Sequence, residues 1–188
     1  MNRLPRATEL AHAWVRERLR PGGTAIDATA GNGHDTEFLA QLAGAEGRVI
    51  AYDVQTVAIE STRARLEKAG LLDRVSLRRD SHERIGEENG FDVVMFNLGY
   101  CPGADKAVIT TVDSTLRALE AAASGLRPGG LITVVCYTGH PGGAEEAEAV
   151  LAWTRGLEPG RFRAMRCEML VQTDPAPFLI AIERVSLR

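Results

Sequence analysis

DATAGNGHD, from Asp27 to Asp35, is the stretch whose surroundings decide the fold. The run TAIDAT (24–29) reads as a short buried strand, and residues 35–44 carry helical spacing, so two glycines and several small residues turn a strand into a helix. The same alternation continues outward in both directions. Residues 6–19 put Leu10, Ala11, Trp14, Val15 and Leu19 on one helical face and stop at RPGG, which predicts a cover helix. RVIAYD (48–53) follows as a strand, 55–69 as a helix ending at Gly70, RVSLRR (74–79) as a third strand and FDVVMFNL (91–98) as a fourth. A helix over 110–125 closes with LRPGG, LITVVCYT (131–138) is the fifth strand, and a further helix covers 143–156. Strand and helix alternating with short connections specify a parallel sheet covered on both faces. The tail breaks the rhythm: RFRAMRCEML (161–170) and PFLIAIERV (177–185), joined only by a turn, predict an antiparallel hairpin. The expected architecture is α/β and Rossmann-like, a seven-stranded, mostly parallel sheet of the class I S-adenosylmethionine-dependent methyltransferase type. A chain of 188 residues suits one domain, with a cover helix over 1–20 and an α/β body over 24–188.

Composition narrows the function classes. No apolar run approaches the length of a membrane span, and the N-terminus alternates charged with apolar residues, unlike a secretory signal, so the expected compartment is the cytoplasm. Cys101, Cys136 and Cys167 are widely spaced and form no CxxC pair, which predicts reduced thiols and no structural zinc or other metal site. With 25 acidic against 22 basic residues, nucleic acid cannot be held by bulk charge. A local patch would be required, and arginines do cluster at 3 and 6, 16 to 20, 74 to 79 and 161 to 166.

In an open parallel sheet, ligands bind beyond the carboxyl ends of the strands where the topology reverses. DATAGNGHD lacks the Gly-Lys-Ser/Thr of a phosphate-gripping loop, and Thr36 stands where a dinucleotide fingerprint needs its third glycine. S-adenosylmethionine fits better, because it offers an ammonium, a sulfonium and a ribose diol rather than a phosphate. Gly31 and Gly33 would admit close backbone approach to its methionine part. Asp27 would meet the ammonium, directly or through water. Asp53, ending the second strand, would take both ribose hydroxyls. Asp80, Ser81 and His82 in RRDSHE would surround the adenine, and Thr29, Asp35 and Thr36 complete the loop's cofactor set.

FNLGYCPGADK (96–106) bears on what is done with that cofactor. NLGY resembles the Asn-Pro-Pro-Tyr motif of amino-group methyltransferases, with Leu98 and Gly99 in place of the prolines. An Asn carboxamide and a backbone carbonyl accept hydrogen bonds from a nitrogen and aim its lone pair, while an aromatic ring stacks on the base. Asn97 and Tyr100 are therefore the leading catalytic candidates. Cys101 invites comparison with the nucleophile of pyrimidine C5 methylation, but the order here is Cys-Pro, not Pro-Cys, and no partner base is evident.

Taken together, DATAGNGHDT, FNLGYCPGADK, YTGHPGG and the terminal DPAPF resemble the YtqB-type, or MnmM, family, and the similarity spans residues 5 to 184. The resemblance implies methylation of the exocyclic amine of 5-aminomethyl-(2-thio)uridine at the wobble position of tRNA, with the tRNA anticodon region as partner. It implies that Asn32, Asp35, Asp53, Gln55, Ser81, His82 and Asn97 touch the cofactor. Gly99, Tyr100, Pro102, Asp105, Lys106 and His140 would then face the RNA or the amine. Cys101 and Ala104 stand where family members tend to carry Leu and Gly. An amine that is protonated at neutral pH needs a proton acceptor, and His140 and Asp105 are the candidates. Lys106, Thr110 and Thr111 fit a phosphate contact or an ordinary helix start equally well. Methylation of rRNA or of a small-molecule amine stays open, as does a binding module that has lost its activity, although a mere binder needs no amine-orienting Asn. For a homodimer, the apolar side of the first helix is the candidate contact.

Overall fold

The computed structural model describes residues 3–99, 110–171 and 176–186. Its seven strands are β1 (Thr24–Asp27), β2 (Arg48–Tyr52), β3 (Val75–Arg78), β4 (Phe91–Asn97), β5 (Leu126–Cys136), β6 (Phe162–Cys167) and β7 (Phe178–Arg184). They form one sheet in the order β3-β2-β1-β4-β5-β7-β6, parallel through β5, with β7 antiparallel to both β5 and β6. The expected architecture and the terminal hairpin are present.

Continuous apolar runs follow from burial on both faces. In β4, Val93 and Met95 point into one core while Val94 and Phe96 point into the other, and β7 splits Leu179 and Ala181 from Ile180 and Ile182 in the same way. One face is covered by α1 (Ala7–Arg18), α2 (His34–Ala43) and α3 (Thr56–Ala69). The opposite face is covered by α4 (Val112–Gly125), α5 (Gly143–Arg155) and a short 3₁₀ turn, His82–Glu87, that strand-helix periodicity did not predict.

Two expectations need correction. LRPGG does not end the fourth helix's turn but opens β5: Leu126 pairs with Phe91, and the next ladder pair is Val93 with Leu131. Pro128 has no N–H for the ladder and Gly129 has φ +80°, so the chain loops out between the two pairs. The apolar side of α1 is also not a free face. Ala11, Val15 and Leu19 are buried in one core with Val93, Leu131, Leu179 and Ala181, and Leu10 and Trp14 pack against it, so this side of the helix is spent on the protein's own core.

The switch point lies between β1 and β4, where successive connections leave toward opposite faces. DATAGNGHD joins β1 to α2 there.

Candidate active site

A cleft of about 1040 Å³ opens over the carboxyl ends of β1, β2 and β4. Its floor is the glycine turn. Asp27 is fully buried and holds that turn from beneath, its carboxylate accepting from Thr29 N at 3.1 Å and from the Thr36 hydroxyl at 2.6 Å. Burial first, and the neighbouring Asp35 charge second, push its carboxyl up to about 7. Asp27, Gly33 and Thr36 therefore stand behind the wall of the cleft, whereas Thr29, Gly31, Asn32 and Asp35 line it.

The two glycines have different reasons. Gly31 lies on the cleft wall with φ +52°. Gly33, at φ +78°, faces α3 instead: a Cβ there would come within 2.9 Å of both Thr62 Cα and Thr62 Oγ1. The Thr62 hydroxyl donates to the Gly31 carbonyl at 3.1 Å, and Arg65 Nε to the Asn32 carbonyl at 2.8 Å, so α3 clamps the turn in place.

Asp53 directly follows β2 and accepts from Gly31 N and from Gln55 N, both at 2.9 Å, one bond on each oxygen. Each oxygen keeps a second acceptor site toward the cleft. Asp80, Ser81 and His82 line the same end. Asp80 is exposed and 3.2 Å from Arg84, while Ser81 caps the 3₁₀ turn by accepting from Glu83 N. His82 is buried. Its Nδ1 lies 3.1 Å from the Ala28 carbonyl, which only accepts, so the proton is on Nδ1 and Nε2 is a bare acceptor with no partner among the described residues. Burial lowers its pKa and keeps the ring neutral.

At the end of β4, Asn97 N donates to Thr29 Oγ1 at 2.8 Å, tying the strand to the glycine turn. The Asn97 amide nitrogen points at Asp35 Oδ2, 3.5 Å away, and the side chain also bonds Tyr137, whose hydroxyl pKa is raised chiefly by burial. Asn97 Oδ1 is buried without a partner among the described residues. His140 lies against the same strand end: a Cβ on Gly99 would be 3.4 Å from His140 Nε2, and Nδ1 is 3.0 Å from the Pro141 carbonyl. Gly99 is pinned by a pair of bonds, its N–H to Thr110 Oγ1 at 3.0 Å and its carbonyl from Thr110 N at 3.2 Å. Thr110 in turn donates to the buried Glu146 at 2.8 Å, as Thr115 does at 2.6 Å.

The structure thus brings Asn97, Gly99 and His140 together beside the acid-lined half of the cleft. Tyr100, Pro102, Asp105 and Lys106, with Cys101 and Ala104, lie outside the described residues. Sequence reasoning missed α1 as a wall of the site: Arg6, Glu9 and His12 all line the cleft, as does Tyr137 after β5. The only sequence signal was polar residues interleaved with the helix's apolar stripe. Among the described residues no cluster of three or more metal-ligating side chains occurs, and no helix is long and apolar enough to cross a membrane.

A sheet of this order closed by an antiparallel hairpin, with a glycine turn at its switch point and an acid directly after β2, defines a class I methyltransferase. The chain belongs to the family described as "Putative rRNA methylase", whose model matches residues 49–183. It is 44% identical over 93% of its length to the "tRNA (mnm(5)s(2)U34)-methyltransferase, chloroplastic" of Arabidopsis thaliana, of which it covers 68%. Among solved structures, it is similar to a "putative rRNA-methylase" from Clostridium thermocellum, with TM-score 0.95 and 37% identity over 98% of this chain and all of that one. A "putative methyltransferase" from Streptococcus mutans, solved in complex with SAH, gives TM-score 0.89 and 35% identity over 97% of this chain and all of that one.

Proposed function

We propose that the protein transfers a methyl group from S-adenosylmethionine to the exocyclic amine of 5-aminomethyl-(2-thio)uridine at the wobble position of tRNA. The observation that carries this reading is Asn97, a residue of the cleft lining whose amide nitrogen faces an acceptor and whose oxygen is buried with no partner among the described residues. A buried acceptor left without a partner is costly unless a ligand supplies the donor, and an amine does.

The remaining lining fits the cofactor. His82 Nε2 offers an acceptor to the adenine amine, Asp53 has acceptor sites left for the ribose hydroxyls, and Asp35 with the Gly31–Asn32 turn suits the cationic methionine end. When bound, S-adenosylmethionine supplies an electrophilic methyl on a sulfonium. The chain's own part is to position the amine: Asn97 Oδ1 accepts one N–H, which leaves the nitrogen lone pair to be aimed, and the Gly99–Thr110 clamp holds the backbone beside it. The amine must first lose a proton, and His140, against Gly99, is the described group suited to accept it.

The reading puts the anticodon region of the tRNA at the cleft mouth and the protein in the cytoplasm, and any homodimer forms through a face other than the apolar side of α1. Its test is mass spectrometry of nucleosides from tRNA lacking the modification, incubated with the protein and deuteromethyl-labelled S-adenosylmethionine. Label on 5-aminomethyluridine is expected. No label there, with cofactor binding intact, would transfer the search to rRNA and small amines.

A further inference from the structure

A carboxamide is nearly symmetric in shape and opposite in chemistry at its two ends, so something at the end of β4 must decide which end faces the amine. Asp35 and Tyr137 both bond this side chain, and of the two only the carboxylate is restricted to accepting, so Asp35 draws the Asn97 nitrogen toward its Oδ2 and the oxygen turns away. Asp35 stands in the first turn of α2 with one oxygen toward Asn97, and its other oxygen is held from a different helix. His12 Nε2, on α1, lies 2.6 Å from Asp35 Oδ1. Hydrogen bonds to an ionised acceptor are the short, strong kind. The imidazole is itself fixed, stacked on Phe38 with ring centroids 3.9 Å apart and planes 8° from parallel. Both His12 and Asp35 line the cleft, and both side chains are largely buried, at 25% and 13% exposure, so solvent does not replace this bond freely.

We propose that His12 is a positioning residue for methyl transfer: through Asp35 it locks the Asn97 amide with its oxygen toward the substrate amine. The proposal rests on the reading of Asn97 as the group that accepts the amine. It also gives the first helix a purpose in the site, since α1 delivers the donor that meets Asp35 Oδ1 while Asn97 meets Oδ2.

Two variants separate positioning from packing. His12→Phe keeps an aromatic ring to stack on Phe38 and removes the donor to Asp35. His12→Gln loses the ring but retains an N–H near the place of Nε2. Melting temperature verifies that each is folded. The first readout needs no substrate: in the intact protein, hydrogen exchange at the Asn97 side-chain amide, followed by NMR, is expected to be about 10-fold or more faster in His12→Phe than in the wild type, with His12→Gln between them. The second is turnover on unmodified tRNA, where His12→Phe is expected to lose kcat by about 10- to 100-fold with KM for S-adenosylmethionine within about 2-fold, and His12→Gln to recover much of the loss. A folded His12→Phe protein with wild-type Asn97 exchange and kcat overturns the proposal, as does a His12→Gln protein no better than His12→Phe on both readouts. Should the wild type transfer no methyl to tRNA, the functional reading falls, and the amide exchange still decides whether His12 orders Asn97.

Discussion

Replacing Gly33 by alanine tests whether the glycine turn is shaped by its ligand or by α3. Gly33 has φ +78°, where an L side chain costs roughly 1–2 kcal/mol. The new Cβ would also lie 2.9 Å from Thr62 Cα, a backbone atom that cannot swing aside, and forcing a methyl into a filled site adds about 1–3 kcal/mol. Together these give about 3 kcal/mol, which for a domain of this size lowers the melting temperature by about 6–12 °C. Gly70 is the control. It caps α3 at φ +68° with nothing within 4 Å of its would-be Cβ, so Gly70→Ala meets only the backbone penalty, about 1 kcal/mol and about 2–4 °C. Relieving the contact at Gly33 means pushing Thr62 away from the Gly31 carbonyl, so cofactor affinity, measured by calorimetry, is expected to fall about 10-fold or more in Gly33→Ala and to stay unchanged in Gly70→Ala. Equal thermal shifts in the two variants would refute the steric account, and an unaltered cofactor affinity in Gly33→Ala would show that α3 does not set the turn.

Three further outcomes are expected. Asn97→Ala should leave cofactor affinity within about 2-fold and lower kcat by about 10²-fold, measured by methyl transfer to unmodified tRNA, and an unchanged kcat removes Asn97 from the mechanism. Thr110→Val leaves Glu146 short of one donor and Gly99 N without its acceptor, so stability should drop by about 1–3 kcal/mol in chemical denaturation, with Thr110→Ser close to the wild type. Asp27 has its folded-state carboxyl raised to about 7, so the native chain holds that proton more tightly than the unfolded one. The stability this gives is complete below about pH 4 and is lost as pH rises through about 7. The ligand-free wild type should therefore melt progressively lower between about pH 4 and 7, and Asp27→Asn, which has nothing to ionise, should flatten that slope; a slope unchanged in the variant would assign it to other groups.

The sheet was legible because its strands are buried on both faces and read as unbroken apolar runs, with glycines and prolines between them. The terminal hairpin was legible because two such runs follow each other with no room for a helix. LRPGG misled because proline and paired glycines punctuate turns in most contexts, whereas here a ladder pair already exists at Leu126 before the chain loops out and rejoins at Leu131. Asp53, His82 and Asn97 were readable as cleft-lining residues since each lies at or follows the carboxyl end of a parallel strand, the side of the sheet on which the cleft opens. Asp27 ends a strand as well, yet it points beneath the turn to Thr29 and Thr36, and nothing in its spacing distinguishes a carboxylate under a loop from one above it.

His12 illustrates the deeper limit of the sequence. Helical periodicity assigns Ala11, Val15 and Leu19 to a core face and leaves the residues between them looking like solvent-facing filler. The sheet converts that filler into a wall of the site, because α1 lies across the face that carries α2 and its flank overhangs the end of β4. A polar residue one step round from the buried stripe then meets Asp35, 23 positions further along the chain. Such a contact depends on how two helices are laid on one sheet rather than on any local spacing, so the strand ends that line the cleft could be read from sequence while the contact between His12 and Asp35 could not.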